Sequence, residues 1–329
     1  MPTARHYCTY FDSRYLHRGI TLYESLRQHS SRNFVFWVLC LDDESHRILQ
    51  RANLPEVRPI HLEELEHADP ELAAVKENRS VVEYFFTCTP CLPRYILNEN
   101  PNIPDITYVD GDLYFFSDPE QVFSEIGSNS IAITPHRFSK RNRNREKWGL
   151  YNVAFNFFRR DTHGLECLNW WRDRCIEWCY DRLEDGKYAD QKYLDDWSLR
   201  FHRVKILDHP GVNLAPWNVE DAKLTRRAGR VFADGLPLIF YHFHALKPLT
   251  SRLFNPSWEN YEINPPRILR NCVYQPYIEH YRKVSLLVNN DSSRRPALRD
   301  WFPHWLRDKS VLGLAWEVAK GRLLFAKKP

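Results

Sequence analysis

The chain has 329 residues, of which 43% are hydrophobic, 27% charged and 14% aromatic, with a formal charge of only +4. This balance excludes wholesale disorder, and the length suits one large α/β domain with an appendage or two modest domains. No apolar run approaches the roughly 20 residues that cross a bilayer, no recognisable nucleic-acid module is present, and the first residues carry no signal-peptide pattern, so a cytoplasmic protein is expected.

Tyr7 to Phe11 reads as a first strand, followed by a helix from Leu16 to His29 with Leu16, Ile20, Tyr23 and Leu26 at helical spacing. Phe34 to Leu41 is a nearly continuous apolar run, as expected of a strand covered on both faces. Asp42 and Asp43 suit the cap of a helix from Glu44 to Ala52, and a strand follows near Val57 to Ile60. Ser80 to Asn98 is helical in parts, with Pro90 and Pro93 expected to break or kink it. Ile106 to Val109, Leu113 to Phe116, Ile131 to Thr134 and Val153 to Phe158 are further strands. The clearest helix starts at Asp161 or Thr162 and extends to about Leu183 on an apolar stripe, and Leu238 to Phe243 is a late strand. Strand and helix alternate, which argues for a parallel sheet. The eight cysteines read as buried free thiols, the Cys88-x-x-Cys91 pair included, because no second pair stands at zinc-site spacing.

The sharpest local feature is Tyr108-Val109-Asp110-Gly111-Asp112-Leu113. A strand delivers two carboxylates to its C-terminal end, where ligands of open α/β sheets bind, and Gly111 is expected to allow a tight turn between them. Two close carboxylates repel unless a cation joins them, and a divalent ion there also holds diphosphate oxygens and neutralises a leaving group. A second apolar strand, Ile239 to Phe243, ends in polar groups: His242 or His244 is placed to complete such a site, with Mn²⁺ somewhat favoured over Mg²⁺, and Lys247 to reach a phosphate.

In this order, the blocks between Tyr7 and Pro248 resemble the GT-A fold nucleotide-diphospho-sugar transferases, especially glycosyltransferase family eight. The resemblance implies a Rossmann-like, mostly parallel mixed sheet flanked by helices. It implies that the opening block, Thr9 to Tyr15, grips the nucleotide base, with Asp12 near the pyrimidine and Tyr15 stacking on it. Asp110 and Asp112 then match the D-x-D metal motif, the first also approaching ribose, and His242 aligns better than His244 with the third ligand. The spacer before Lys247-Pro248 is one residue shorter than in many members. Tyr151 to Asn156 is similar to a Phe-Asn-Ala-Gly block and sets Asn152 beside the transferred sugar, with Asn156 as the alternative; Ala154 replaces the usual glycine. Asp190-Gln191 resembles an Asp-Gln pair that binds sugar hydroxyls and lies near the anomeric carbon. Asn213 to Asn218, including Trp217, resembles the loop that lines the acceptor.

The resemblance implies a hexosyltransferase that moves a sugar from a UDP-sugar to a hydroxyl of a glycan or lipid-linked acceptor, with retention. Were the enzyme inverting, Asp12, Glu83 or Asp190 would be the base. The rival readings are a nucleotide-sugar hydrolase or nucleotidyltransferase, and a non-catalytic glycan-binding protein; the absence of glycine from Tyr10 to Tyr15 argues against a nucleotidyltransferase loop. The basic run from His136 to Lys147 suits either a mobile cover over diphosphate or a solvated loop.

Residues 1–263 are expected to form the catalytic domain and 264–329 a C-terminal helical appendage. From Arg294 onward nine Lys or Arg face three Asp or Glu, interleaved with Trp301, Phe302, Trp305, Leu306, Leu312, Leu314 and Trp316. Such sequence suits either an anionic membrane surface on the inner face or packing on the catalytic domain.

Overall fold

The computed structural model describes residues 3–289, 317–318 and 320–326. The aromatic and basic run from Trp301 to Trp316, and with it the choice between membrane contact and packing on the catalytic domain, lies outside the described residues.

Eight segments supply the main strands: β1 (Arg5–Phe11), β2 (Phe34–Cys40), β3 (Val57–His61), β4 (Asp105–Val109), β5 (Leu113–Phe115), β6 (Ile131–Pro135), β7 (Tyr151–Arg159) and β8 (Val204–Ile206). All but β5 form one seven-stranded sheet in the order β3-β2-β1-β4-β7-β6-β8. Neighbours from β3 to β4 run parallel, as do β6 and β8, while β7 is antiparallel to both β4 and β6. The sheet is thus mixed and mostly parallel, with helices on both faces, as the alternating pattern requires.

Successive residues of β1 show why. Tyr7 and Phe11 enter one core layer with the helix Leu16–His29, whereas Cys8 enters the opposite layer with the helices Val81–Glu99 and Thr162–Glu177. Asp42 caps the helix Asp43–Ala52 by accepting from the Ser45 N–H, as its position suggests.

Two helical boundaries are corrected. Pro90 and Pro93 do not break the chain into separate helices: Val81–Glu99 is one continuous helix with both prolines inside it and buried. Packing of its apolar face against Thr162–Glu177 outweighs the lost amide donors. The helix from Thr162 stops at Glu177 rather than near Leu183, because Trp178 is extended and its carbonyl accepts from the Tyr193 hydroxyl at 2.7 Å. Cys179 is buried off the helix, and Leu183 is exposed.

Beyond the main sheet, β9 (Leu224–Arg227), β10 (Arg230–Ala233) and β11 (Leu236–Pro237) make a small antiparallel sheet. The next strand, β12 (Phe240–His242), pairs antiparallel with β5 in the register Phe240↔Phe115, Tyr241↔Tyr114, His242↔Leu113. Downstream, the helix Gln275–Asn289 packs against Leu16–His29, and its Tyr277, Ile278 and Tyr281 join Tyr114 and Phe243 in a third apolar cluster. No helix among the described residues is long and apolar enough to cross a membrane. All eight cysteines are free; seven are buried, and burial pushes the Cys88 and Cys91 thiols up, away from thiolate chemistry.

Candidate active site

The acidic turn leaves β4 at the C-terminal ends of the parallel strands. The Asp110 N–H donates to Ala154 O of β7 at 3.1 Å, and the Leu113 N–H donates to Asp110 O at 3.2 Å, so the turn is anchored at both ends. Gly111 has no left-handed φ, and a Cβ built on it meets nothing closer than 3.8 Å. The tight turn forms at Gly111 as expected, but it is also compatible with a side chain there.

The pairing of β5 with β12 decides what the turn faces. It lays His242 beside Leu113, and the Phe243 N–H donates to Asp112 O at 3.0 Å. The His242 Nε2 then lies 3.1 Å from Asp112 Oδ1 and 3.8 Å from Asp110 Oδ2. Trp217 backs the ring edge-on at 5.1 Å, and its indole N–H donates to His136 O at 3.0 Å. The Tyr108 hydroxyl donates to Asp110 Oδ1 at 3.0 Å, and the Tyr15 hydroxyl points at Asp112 Oδ2 from 3.5 Å.

The electrostatics follow from burial in a low-dielectric floor. Burial raises the Asp110 carboxyl, His242 opposes this and Asp112 adds to it, leaving Asp110 at about 6. Burial acts on Asp112 in the same sense, but the His242 ring outweighs it and holds that carboxyl below its ordinary value. His242 is the reciprocal case: burial would lower it, and Asp112 and Asp110 together hold it above its ordinary value. In the metal-free protein a proton on His242 thus balances the charge of the acidic turn. The donor set fits a divalent cation, since one ligand atom each from Asp112, His242 and His244 lie within 4.8 Å of one another. The structure brings both histidines to Asp112, His242 buried and His244 exposed at the mouth. Imidazole and carboxylate donors together suit Mn²⁺ better than Mg²⁺.

This acidic floor opens into a cleft of about 790 Å³ whose walls include Asp12, Tyr15, Asp110, Asp112, Asn152, Asp190, Gln191, Trp217 and His242. Nine expected residues from six separate stretches of the chain therefore converge. Asp12 accepts from the Tyr15 N–H at 3.0 Å and pairs with Arg14 at 2.7 Å. Asp190 is 3% exposed; burial pushes it up to about 7, against the Thr89 hydroxyl and the backbone amides at Asp190 and Gln191. Asn152 reaches His136 at 3.2 Å and Gln191 at 3.5 Å.

Four expected residues stand outside the lining. Thr9 is buried beneath Gly111 with its hydroxyl unpartnered among the described residues. Asn156 is buried in β7 opposite Tyr108, its amide also unpartnered among them, and a register shift between β6 and β7 separates its setting from that of Asn152. Asn213 is buried in a left-handed turn and donates to Pro135 O at 3.4 Å. Lys247 is exposed on a two-residue strand paired with Asn255.

Other roles shift as well. Trp217 is 3% exposed and serves as a wall behind the histidines rather than an open stacking platform. Glu83 completes a capping box with Ser80 and accepts from the Asp181 N–H at 3.0 Å, so its carboxylate is occupied by structure. The basic run forms a 3₁₀ helix, Lys140–Trp148, tied down by Arg141 to Glu220 and by Arg145 stacked on Tyr261. Sequence reasoning named His136 and Arg145 only as members of the basic run, and it assigned no role to Trp148 or Tyr188 in the cleft wall or to Arg18 behind Tyr15. His136 directly follows β6, and the rule that strand ends carry ligands is the signal that points to it.

No protein-family model matches the chain. It is 35% identical over 245 residues to the Bacillus subtilis (strain 168) protein YfnF, described as uncharacterized; the match spans 72% of this chain and 80% of the relative. YfnD from the same strain, also described as uncharacterized, is 31% identical over 281 residues, 84% of this chain and 89% of the relative. Among solved structures, the galactosyltransferase LgtC in complex with donor and acceptor sugar analogs has a TM-score of 0.50 at 15% identity, covering 90% of this chain and 100% of that one. An active-site mutant of LgtC gives 0.50 at 15% identity over 88% and 97% of the two chains. The architecture is the GT-A fold of nucleotide-sugar transferases.

Proposed function

This chain belongs to the family of the Bacillus subtilis proteins YfnF and YfnD, and we propose that it is a metal-dependent glycosyltransferase. It moves a hexosyl unit from a UDP-sugar to a hydroxyl of a glycan or lipid-linked acceptor. The observation that carries this reading is the convergence of Asp110, Asp112 and His242 on the floor of a cleft at the strand ends, opposite Asp190 and Gln191. A nucleotide diphosphate is a poor leaving group unless its developing charge is neutralised, and Asp110, Asp112 and His242 would hold a divalent ion that would supply that Lewis acidity when bound.

The chain's own residues do the rest. Tyr15 offers its ring to the base, and Asp12 accepts from it once Arg14 turns aside. Lys247, just beyond the segment that carries His244, is the mobile cation assigned to the diphosphate. Asp190 receives sugar hydroxyls, while Asn152 and Gln191 orient the ring for attack. Charge separation at the anomeric carbon is the costly event, so positioning and fixed dipoles dominate over any single strong base. Retention of configuration is the expected stereochemistry.

The test is UDP release from a panel of UDP-sugars with Mn²⁺, with and without acceptor extracts. Asp112→Asn is expected to fold normally and to lose on the order of 10²-fold or more of the turnover. A folded Asp112→Asn protein with full activity would reject the reading. Release that is independent of acceptor would instead favour the hydrolase alternative.

A further inference from the structure

Resting on the proposed placement of Asn152 and Gln191 beside the donor sugar, we infer that His136 is a positioning residue: through one ring tautomer it accepts from the Asn152 amide and so holds in place the Asn152–Gln191 pair whose amide directions the main chain sets. The Ala154 N–H donates to Asn152 Oδ1 at 3.2 Å. A main-chain amide can only donate, so this bond settles which end of the Asn152 side chain is oxygen. The other end, Nδ2, is therefore the group that faces His136 Nε2 at 3.2 Å and Gln191 Oε1 at 3.5 Å. An amide NH₂ has no acceptor capacity, so the His136 Nε2 must carry the lone pair and the proton must sit on Nδ1. The chain of donors then continues, because Gln191 Oε1 is directed at Asn152 and its Nε2 donates to Trp148 O at 3.1 Å.

His136 is built to hold that state. Its ring stacks on Phe138 at 4.5 Å and 10°, and its main chain is bonded three ways: the N–H to Leu150 O, and the carbonyl from the Trp217 indole and from Asn218. The residue is 5% exposed, and burial pushes the imidazole down to about 3, so it stays neutral at working pH. A charged ring would present a donor at Nε2 and repel the Asn152 NH₂. A ring with its proton on Nε2 would do the same. Only one of the three protonation states of histidine lets Nε2 accept from Asn152; it leaves the buried Nδ1–H without a partner among the described residues, and it steadies the adjacent Asn152 and Gln191 amides together.

Two measurements test this. With ¹⁵N-labelled histidine in the ligand-free protein, long-range ¹H–¹⁵N correlations, assigned by the signal missing from His136→Gln, are expected to show protonated Nδ1 and bare Nε2 without titration from pH 5.5 to 8.5. An Nε2–H tautomer, or titration within that range, overturns the inference, and this readout does not depend on any sugar-transfer assay. In the second, His136→Gln keeps an acceptor near the Nε2 position and is expected to retain kcat within a few-fold. His136→Leu removes the acceptor and is expected to lower kcat by about tenfold or more, with UDP affinity unchanged. Equal loss in both variants, or no loss in His136→Leu, overturns it. An inactive wild-type protein would reject the transferase reading while leaving the tautomer result to stand.

Discussion

The His242 Nε2 lies 3.1 Å from Asp112 Oδ1, and the contact exists because β12 pairs with β5 one residue beyond the acidic turn. Two strands from distant parts of the sequence thus bring an imidazole to a carboxylate at the floor of the cleft. In the absence of metal the pair shares its charge through a proton on the ring, which a divalent cation must displace.

Mn²⁺ affinity should therefore depend on pH with a definite sign. His242 is held above its ordinary value, so its contribution to metal-free stability is complete below that ordinary value and is lost as pH rises through the raised one. Asp112 is held below its ordinary value, so its contribution is lost only as pH falls through the lowered one. Between these limits metal binding must expel the His242 proton, joined below about pH 6 by one from Asp110, so affinity is expected to rise more steeply below pH 6, by about tenfold per pH unit above it until His242 is neutral, and then to level off. Mn²⁺ titration by electron paramagnetic resonance from pH 5.5 to 8.5 checks this. An affinity that does not vary with pH would contradict the proton-for-metal exchange.

Asp190→Asn should separate stability from activity. Burial raises the Asp190 carboxyl from 3.8 to about 7, so wild-type stability from this group is full below pH 4 and declines as pH rises towards 7. The asparagine avoids that decline. In chelator, urea denaturation is expected to find the variant more stable at pH 8 by roughly 2–4 kcal/mol, with no gain at pH 4, while turnover is lost. A variant destabilised equally at both pH values would show that the carboxylate is a structural anchor instead.

Two glycines should behave in opposite ways. A Cβ on Gly211 would stand 2.0 Å from Pro237 O, a main-chain atom that cannot swing aside, so Gly211→Ala is expected to cost about 1–3 kcal/mol. Gly111 lies inside the acidic turn, yet Gly111→Ala is expected to stay within about 0.5 kcal/mol of wild type, because its surroundings are open. Equilibrium denaturation of the two variants decides the matter, and the reverse ranking would overturn it.

Tyr15 is expected to serve the nucleotide through its ring. The Arg18 guanidinium lies over that ring at 4.1 Å and donates to Leu246 O at 2.6 Å, which steadies the tyrosine against the loop bearing His244. Removing a base-stacking ring costs about 1–3 kcal/mol. Tyr15→Ala is accordingly expected to weaken UDP binding by about tenfold or more by calorimetry, and Tyr15→Phe by far less. A Tyr15→Phe protein as weak as Tyr15→Ala would assign the role to the hydroxyl.

Several features were legible without coordinates because they are local. Apolar runs and helical stripes located β1, β2, β4 and the helix Leu16–His29, since side-chain periodicity follows directly from backbone geometry. The Asp110-Gly111-Asp112 turn was visible as polar residues at the end of an apolar strand. The prolines misled because propensity describes an isolated helix, whereas Val81–Glu99 is held by its neighbours. Trp217 had the chemistry of a sugar platform, and only its burial behind His242 shows it to be a wall.

By itself the sequence determined the alternating strands and helices, the acidic turn and the cast of polar residues that the cleft collects. Tertiary structure alone decided which of them meet: that both histidines reach Asp112, that Asn156 and Thr9 stay in the core, and that Asn152 links His136 to Gln191. The division has a physical cause. Periodicity and turn chemistry act over a few residues, whereas strand pairing and the burial it imposes act between segments whose separation along the chain carries no signal of their contact.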